Sequence, residues 1–135
     1  MVKRRRGNRR LGRGNAHVGF ERLVERALAG IPAPFRDALA EVAIVIDDVP
    51  SRDQLTENEL DADDTLYGLY EGVPRTEYGA DWVAAPNRIT LFRLPLEEDF
   101  PDPHDLADEV RITVIHELAH HLGIDDDRLE ELGVD

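Results

Sequence analysis

Two histidines four residues apart, His116 and His120, enclose Glu117, Leu118 and Ala119 within the run Val110-Arg-Ile-Thr-Val-Ile-His-Glu-Leu-Ala-His-His-Leu-Gly123. No other stretch constrains the chain as much. Residues at i and i+4 stack one turn apart on one side of a helix, so both imidazoles can reach a single ion about 2 Å from each ligating nitrogen. Glu117 is displaced around the helix, where it can polarise a water at the ion, take its proton and later return one to a leaving group. This is the spacing expected of a metal-dependent hydrolase. The bland alternative is an amphipathic helix with two coincidental histidines, and the neighbouring residues argue against it.

Leu106, Val110, Val114, Leu118 and Leu122 form an apolar stripe widened by Ile115, which predicts a helix with one side to bury. Pro101 and Pro103 precede it, and Asp102 or Asp105 can cap its start. Gly123 tolerates positive φ and can end the helix in a left-handed turn. The chain then turns back and can bring Asp125, Asp126 or Asp127 toward the ion. Two imidazoles and one carboxylate leave a position open for water or substrate, as a catalytic zinc site requires. The sequence has no cysteine, which excludes thiolate ligands, disulfides and cysteine nucleophiles. His121 points about 100° away from His120 around the helix and reads as a residue that packs beside Leu118, or else as one that approaches substrate as an electrophile. His104 and His17 read as surface or rim residues.

The string His116-Glu117-x-x-His120-x-x-Gly123-x-x-Asp126 resembles the extended metal-binding pattern of metzincin-type peptidases, with aspartate in the third-ligand position. That resemblance implies Asp126 as third ligand, with Asp125, Asp127 and Glu130 as neighbouring alternatives. Larger metzincins also carry a methionine turn and a long segment after the glycine. Here Met1 is the only methionine and twelve residues follow Gly123, so neither feature is expected. The chain is more similar to small bacterial single-domain zincin-like metallopeptidases, over roughly residues 16–133. Further matching pieces are Gly68-Leu-Tyr-Glu-Gly-Val-Pro74, Arg88-Ile-Thr-Leu-Phe-Arg-Leu-Pro-Leu96 and Asp125-Asp-Asp-Arg-Leu129. The resemblance implies a minimal zincin-like fold, Zn²⁺ held by His116, His120 and Asp126, Glu117 as general base, and a peptide or protein substrate. It does not imply vigorous turnover.

Charge divides the chain. Residues 1–20 contain no acid, and Lys3, Arg4, Arg5, Arg6, Arg9, Arg10 and Arg13 lie there, whereas all 29 acidic residues follow. Residues 1–14 are expected to be a disordered basic arm, and residues 15–135 one domain. Nucleic acid could be met only through that arm, because the acidic body repels it. No run approaches transmembrane length and no apolar stretch follows the basic start, so the expectation is a cytoplasmic protein with no membrane partner. The sequence sets no oligomeric state.

In order, a helix is expected over 16–30 and a short one over 34–40. Strands are expected at 42–46, 65–70 and 89–92, with an acidic solvated segment at 52–64 holding a helical turn near 55–60. Residues 74–87 read as a crossing loop with Tyr78 and Trp82, and 97–105 as a linker into the metal helix. The fold class is α+β: a three- to four-stranded sheet packed against an N-terminal helix and the metal-binding helix. A peptide could pair with an exposed strand edge, for which 65–71 and 88–93 are the candidates. The first functional reading is zinc-dependent peptide hydrolysis. The second is a catalytically weak or silent zinc-binding domain with an interaction or regulatory role, its metal contributing folding energy.

Overall fold

The computed structural model describes residues 13–72 and 87–132. Residues 1–12 of the basic arm, and the expected crossing loop through residue 86 with Tyr78 and Trp82, lie outside the described residues.

The longest element, α5 (Pro103–Leu122), forms for the reasons its sequence suggests. The Asp102 side chain accepts the N–H groups of His104 at 2.8 Å and Asp105 at 3.2 Å, satisfying two of the unpaired donors of the first turn. Pro103 sits where a missing N–H costs nothing. Leu106, Val110, Val114 and Leu118 are buried along one side, joined by Ile115 and Ala119. Gly123 ends the helix with φ 74°, and the Ile124 N–H returns to the Ala119 carbonyl at 2.8 Å.

Helix α1 (Arg13–Ala29) packs on α5 through Phe20, Val24 and Ala27. Arg111 of α5 ties the pair by donating from Nε to the Ala27 carbonyl at 3.2 Å. Ile31 and then Phe35 and Ala38 of α2 (Phe35–Leu39) continue the same core.

Among the described residues three strands make one mixed sheet in the order β1-β3-β2, with β1 (Ala43–Asp47), β2 (Gly68–Glu71) and β3 (Arg88–Phe92). β1 runs parallel to β3, with Val45 opposite Thr90; β2 runs antiparallel, with Leu69 opposite Thr90. β3 is therefore the middle strand, and Ile89 to Phe92 are buried. This removes residues 88–93 as a candidate edge and leaves β2.

Several boundaries differ from expectation: the first helix begins at Arg13 rather than residue 16, and the helical turn expected near 55–60 spans Arg52–Glu57. The second strand starts at Gly68 rather than Thr65; of residues 65–67 it is the Tyr67 carbonyl that reaches the ladder, accepting Phe92 N–H at 2.9 Å. Directly after β3, residues 93–99 form α4 (Arg93–Asp99), where a linker from 97 was expected. Its first turn holds Pro95, whose missing N–H is harmless there, and Arg93 bonds Glu97 one turn on at 2.7 Å. The acidic segment contains α3 (Arg52–Glu57), started by a reciprocal capping box between Ser51 and Gln54. Among the described residues no helix is long and apolar enough to cross a membrane.

Candidate metal centre

His116 and His120 lie one turn apart in the second half of α5, with His116 half-buried and His120 exposed over 60% of its side chain. Glu117 is mostly covered, and its Oε1 lies 3.5 Å from His120 Nδ1. The same oxygen accepts the backbone N–H of Tyr70 at 2.8 Å. Tyr70 stands opposite Ile89, a position from which its N–H points away from β3 and toward α5. Strand β2 can come this close because Gly68 brings no side chain against the helix.

Behind Gly123 the chain enters α6 (Asp126–Leu132), whose Leu129 is buried in the core. This packing holds the segment after the glycine against the body. The Asp125 carboxylate accepts the Arg128 N–H at 2.9 Å and so caps the helix. Asp126 is the first helical residue, and its side chain lies outside the described residues. Asp127 and Glu130 are exposed. Among the described residues no three His, Asp or Glu side chains gather as a metal site. The donor chemistry available at the turn nevertheless fits zinc: two imidazoles at ligand spacing and a run of carboxylates after Gly123, with no thiolate in the chain.

Glu109, two turns before His116, has its carboxyl raised above the usual range by burial, while the Thr113 hydroxyl and the His116 charge pull it back. Thr113 donates to it at 3.4 Å. His104 is exposed at the start of α5.

His121 is a packing residue with polar partners. It is fully buried, its Nε2 lies 2.8 Å from Glu41 Oε1, and its Nδ1 lies 3.2 Å from the Tyr70 hydroxyl. Sequence reading missed both partners of this ring and the Tyr70 contact with Glu117. In the sequence Tyr70 shows only as the end of the second expected strand, and Glu41 gives no signal, lying 80 residues from His121.

No curated protein matches the chain significantly. A family model described as zincin-like metallopeptidase matches residues 39–134. That span takes in the sheet, the helix with both histidines and the turn behind Gly123, so the protein belongs to the zincin-like metallopeptidase family.

Proposed function

We propose that the protein is a zinc-dependent peptidase in which His116, His120 and Asp126 hold the ion and Glu117 is the general base. One observation carries the reading: the carboxylate adjoining the two histidines is anchored to the backbone of the sheet's edge strand. Base and ligands therefore sit beside the strand along which an extended peptide can add. Zn²⁺ held there would polarise the scissile carbonyl and make a water more acidic.

The remaining roles belong to the chain. The bond of Tyr67 with Phe92 sets the ladder so that the backbones of Gly68 and Tyr70 face away from β3; the Tyr70 N–H there belongs to Glu117, so a peptide would add from the Gly68 end of this side. A peptide paired there is positioned by its backbone, without a requirement for one side chain. Among the described residues both contacts of Glu117 use Oε1, so Oε2 is the atom that takes the proton from the attacking water. The same carboxylate then returns a proton to the departing amine. Asp126 is favoured over its neighbour as third ligand because Asp125 is engaged in capping α6.

The test is Glu117→Gln in the zinc-loaded chain, assayed on unfolded protein and on a mixed peptide library. Zinc content should stay at one ion per chain while hydrolysis falls by about 10²–10⁴-fold. Undiminished hydrolysis would remove Glu117 as the base. A fully loaded wild type that cleaves nothing in any pool would favour the silent zinc-binding domain.

A further inference from the structure

Glu117 and His121 are four residues apart on α5, and both bond to one residue of β2. Glu117 takes the backbone N–H of Tyr70, and His121 meets its hydroxyl at the far end of the ring. We infer that Tyr70, His121 and Glu41 are a positioning set for the general base, with Tyr70 the member that touches it. This rests on the peptidase reading above.

The set is tied down at each step. The Tyr70 hydroxyl also lies 3.0 Å from Asn87 Oδ1, at the residue just before β3. The rings of Tyr70 and His121 pack with centroids 5.8 Å apart. His121 Nε2 lies 2.8 Å from Glu41, two residues before β1; a carboxylate only accepts, so that nitrogen carries a hydrogen and the ring is held in one orientation. No exposed surface remains on His121 for a substrate. An apolar side chain could fill the same space without requiring two polar partners. A polar one that is satisfied at both ends fixes direction as well as distance.

The consequence is mechanical. An edge strand of four residues is the least restrained part of a sheet, and its N–H alone would hold Glu117 loosely. Anchoring Tyr70 by its ring to the next turn of α5 makes that N–H move with the helix. The same helix carries His116 and His120, so base and ligands keep one geometry.

The experiment compares Tyr70→Phe, which keeps the backbone N–H, with Glu41→Ala and the conservative Glu41→Gln. Glu41 is 43% exposed, so its variants fold even if changes at the buried His121 do not. Two readouts are taken on the full chain. In the zinc-loaded protein, Tyr70→Phe and Glu41→Ala should lower kcat roughly ten- to a hundred-fold at unchanged zinc content and little-changed KM. Glu41→Gln should stay near wild type. In the metal-free protein, hydrogen exchange at the residue-70 amide should speed up roughly tenfold in the same two variants, as losing a bond to a charged acceptor implies. Exchange at Leu69 and Glu71, which pair with β3, should hold. A change in only one readout overturns the inference, as does loosening of Leu69 and Glu71 together with residue 70. If the wild type cleaves no peptide, the peptidase reading fails on that result, and the exchange data alone decide the positioning set.

Discussion

A Cβ on Gly68 would stand 2.6 Å from the Cγ2 methyl of Thr113. The edge strand and the helix bearing the two histidines are therefore as close here as a bare glycine permits. Gly68→Ala should push β2 off α5 and cost about 1–3 kcal/mol, the usual range for overpacking. Thermal melts check this, and adding Thr113→Ser should recover most of the loss by removing the obstructing methyl. An unshifted melt in the single variant, or no recovery in the double, would show that this contact does not set the spacing.

Asp126 and Asp125 should separate cleanly. Losing an outer partner of a metal ligand costs roughly 10–100-fold in affinity, and losing the ligand itself should exceed that, so Asp126→Ala should bind zinc far more weakly. Asp125→Ala should keep zinc but lose about 1 kcal/mol, as expected for removing a helix cap. Competition against a chromophoric chelator, paired with melts, reads both. The opposite pattern would make Asp125 the ligand.

Much of the scaffold was legible because the signals are local. The apolar stripe from Leu106 to Leu118 and the stop at Gly123 announced α5, and Ile89 to Phe92 announced a strand, though not that it lies in the middle of the sheet. Which strand lies at the edge was not legible, since order in a sheet depends on pairings between distant residues. The same holds for Glu41 with His121 and Tyr70 with Glu117, joined across 80 and 47 positions. Helix α4 was hidden for another reason: Pro95 reads as a breaker unless it is known to fall in a first turn. The roles of His116, Glu117, His120 and Asp126 came from spacing and resemblance, and the zinc titrations and activity assays above are their tests.

Arg93 is buried at the junction of β3 and α4, where its guanidinium reaches Asp48 at 3.1 Å and Glu97 at 2.7 Å. Both carboxylates are partly exposed and can rehydrate when the cation is removed. Arg93→Met should therefore cost about 1–3 kcal/mol, below the penalty for breaking a fully buried pair. Denaturant unfolding measures it. A neutral result would mean that the packing of the stem, not the charge, holds the junction.

The Tyr67 phenol is pushed above its ordinary value by burial first, then by its hydrogen bond to Asp99 and the charges of Asp99 and Glu109. Because the folded value is raised, its contribution to stability is complete below the unfolded pKa near 10 and is lost as pH climbs toward the folded value. Absorbance at the phenolate band should show a tyrosine step late in the alkaline range. Tyr67→Phe should delete that late step and flatten the alkaline fall in stability. A late step that survives the substitution belongs to another tyrosine.

The order β1-β3-β2 also dictates when the protein can assemble. Both outer strands are synthesised before the middle one, so neither has its β3 partner until residues 88–92 have emerged. The parallel pairing of Ala43 with Arg88 closes a long stretch of chain, a slow kind of contact to form. The helix with His116 and His120 is made later still, so a nascent chain cannot display its histidines beside a finished edge strand. Unpaired β1 and β2 wait exposed through that interval, and it is there, rather than in the native state, that the chain depends most on protection from aggregation.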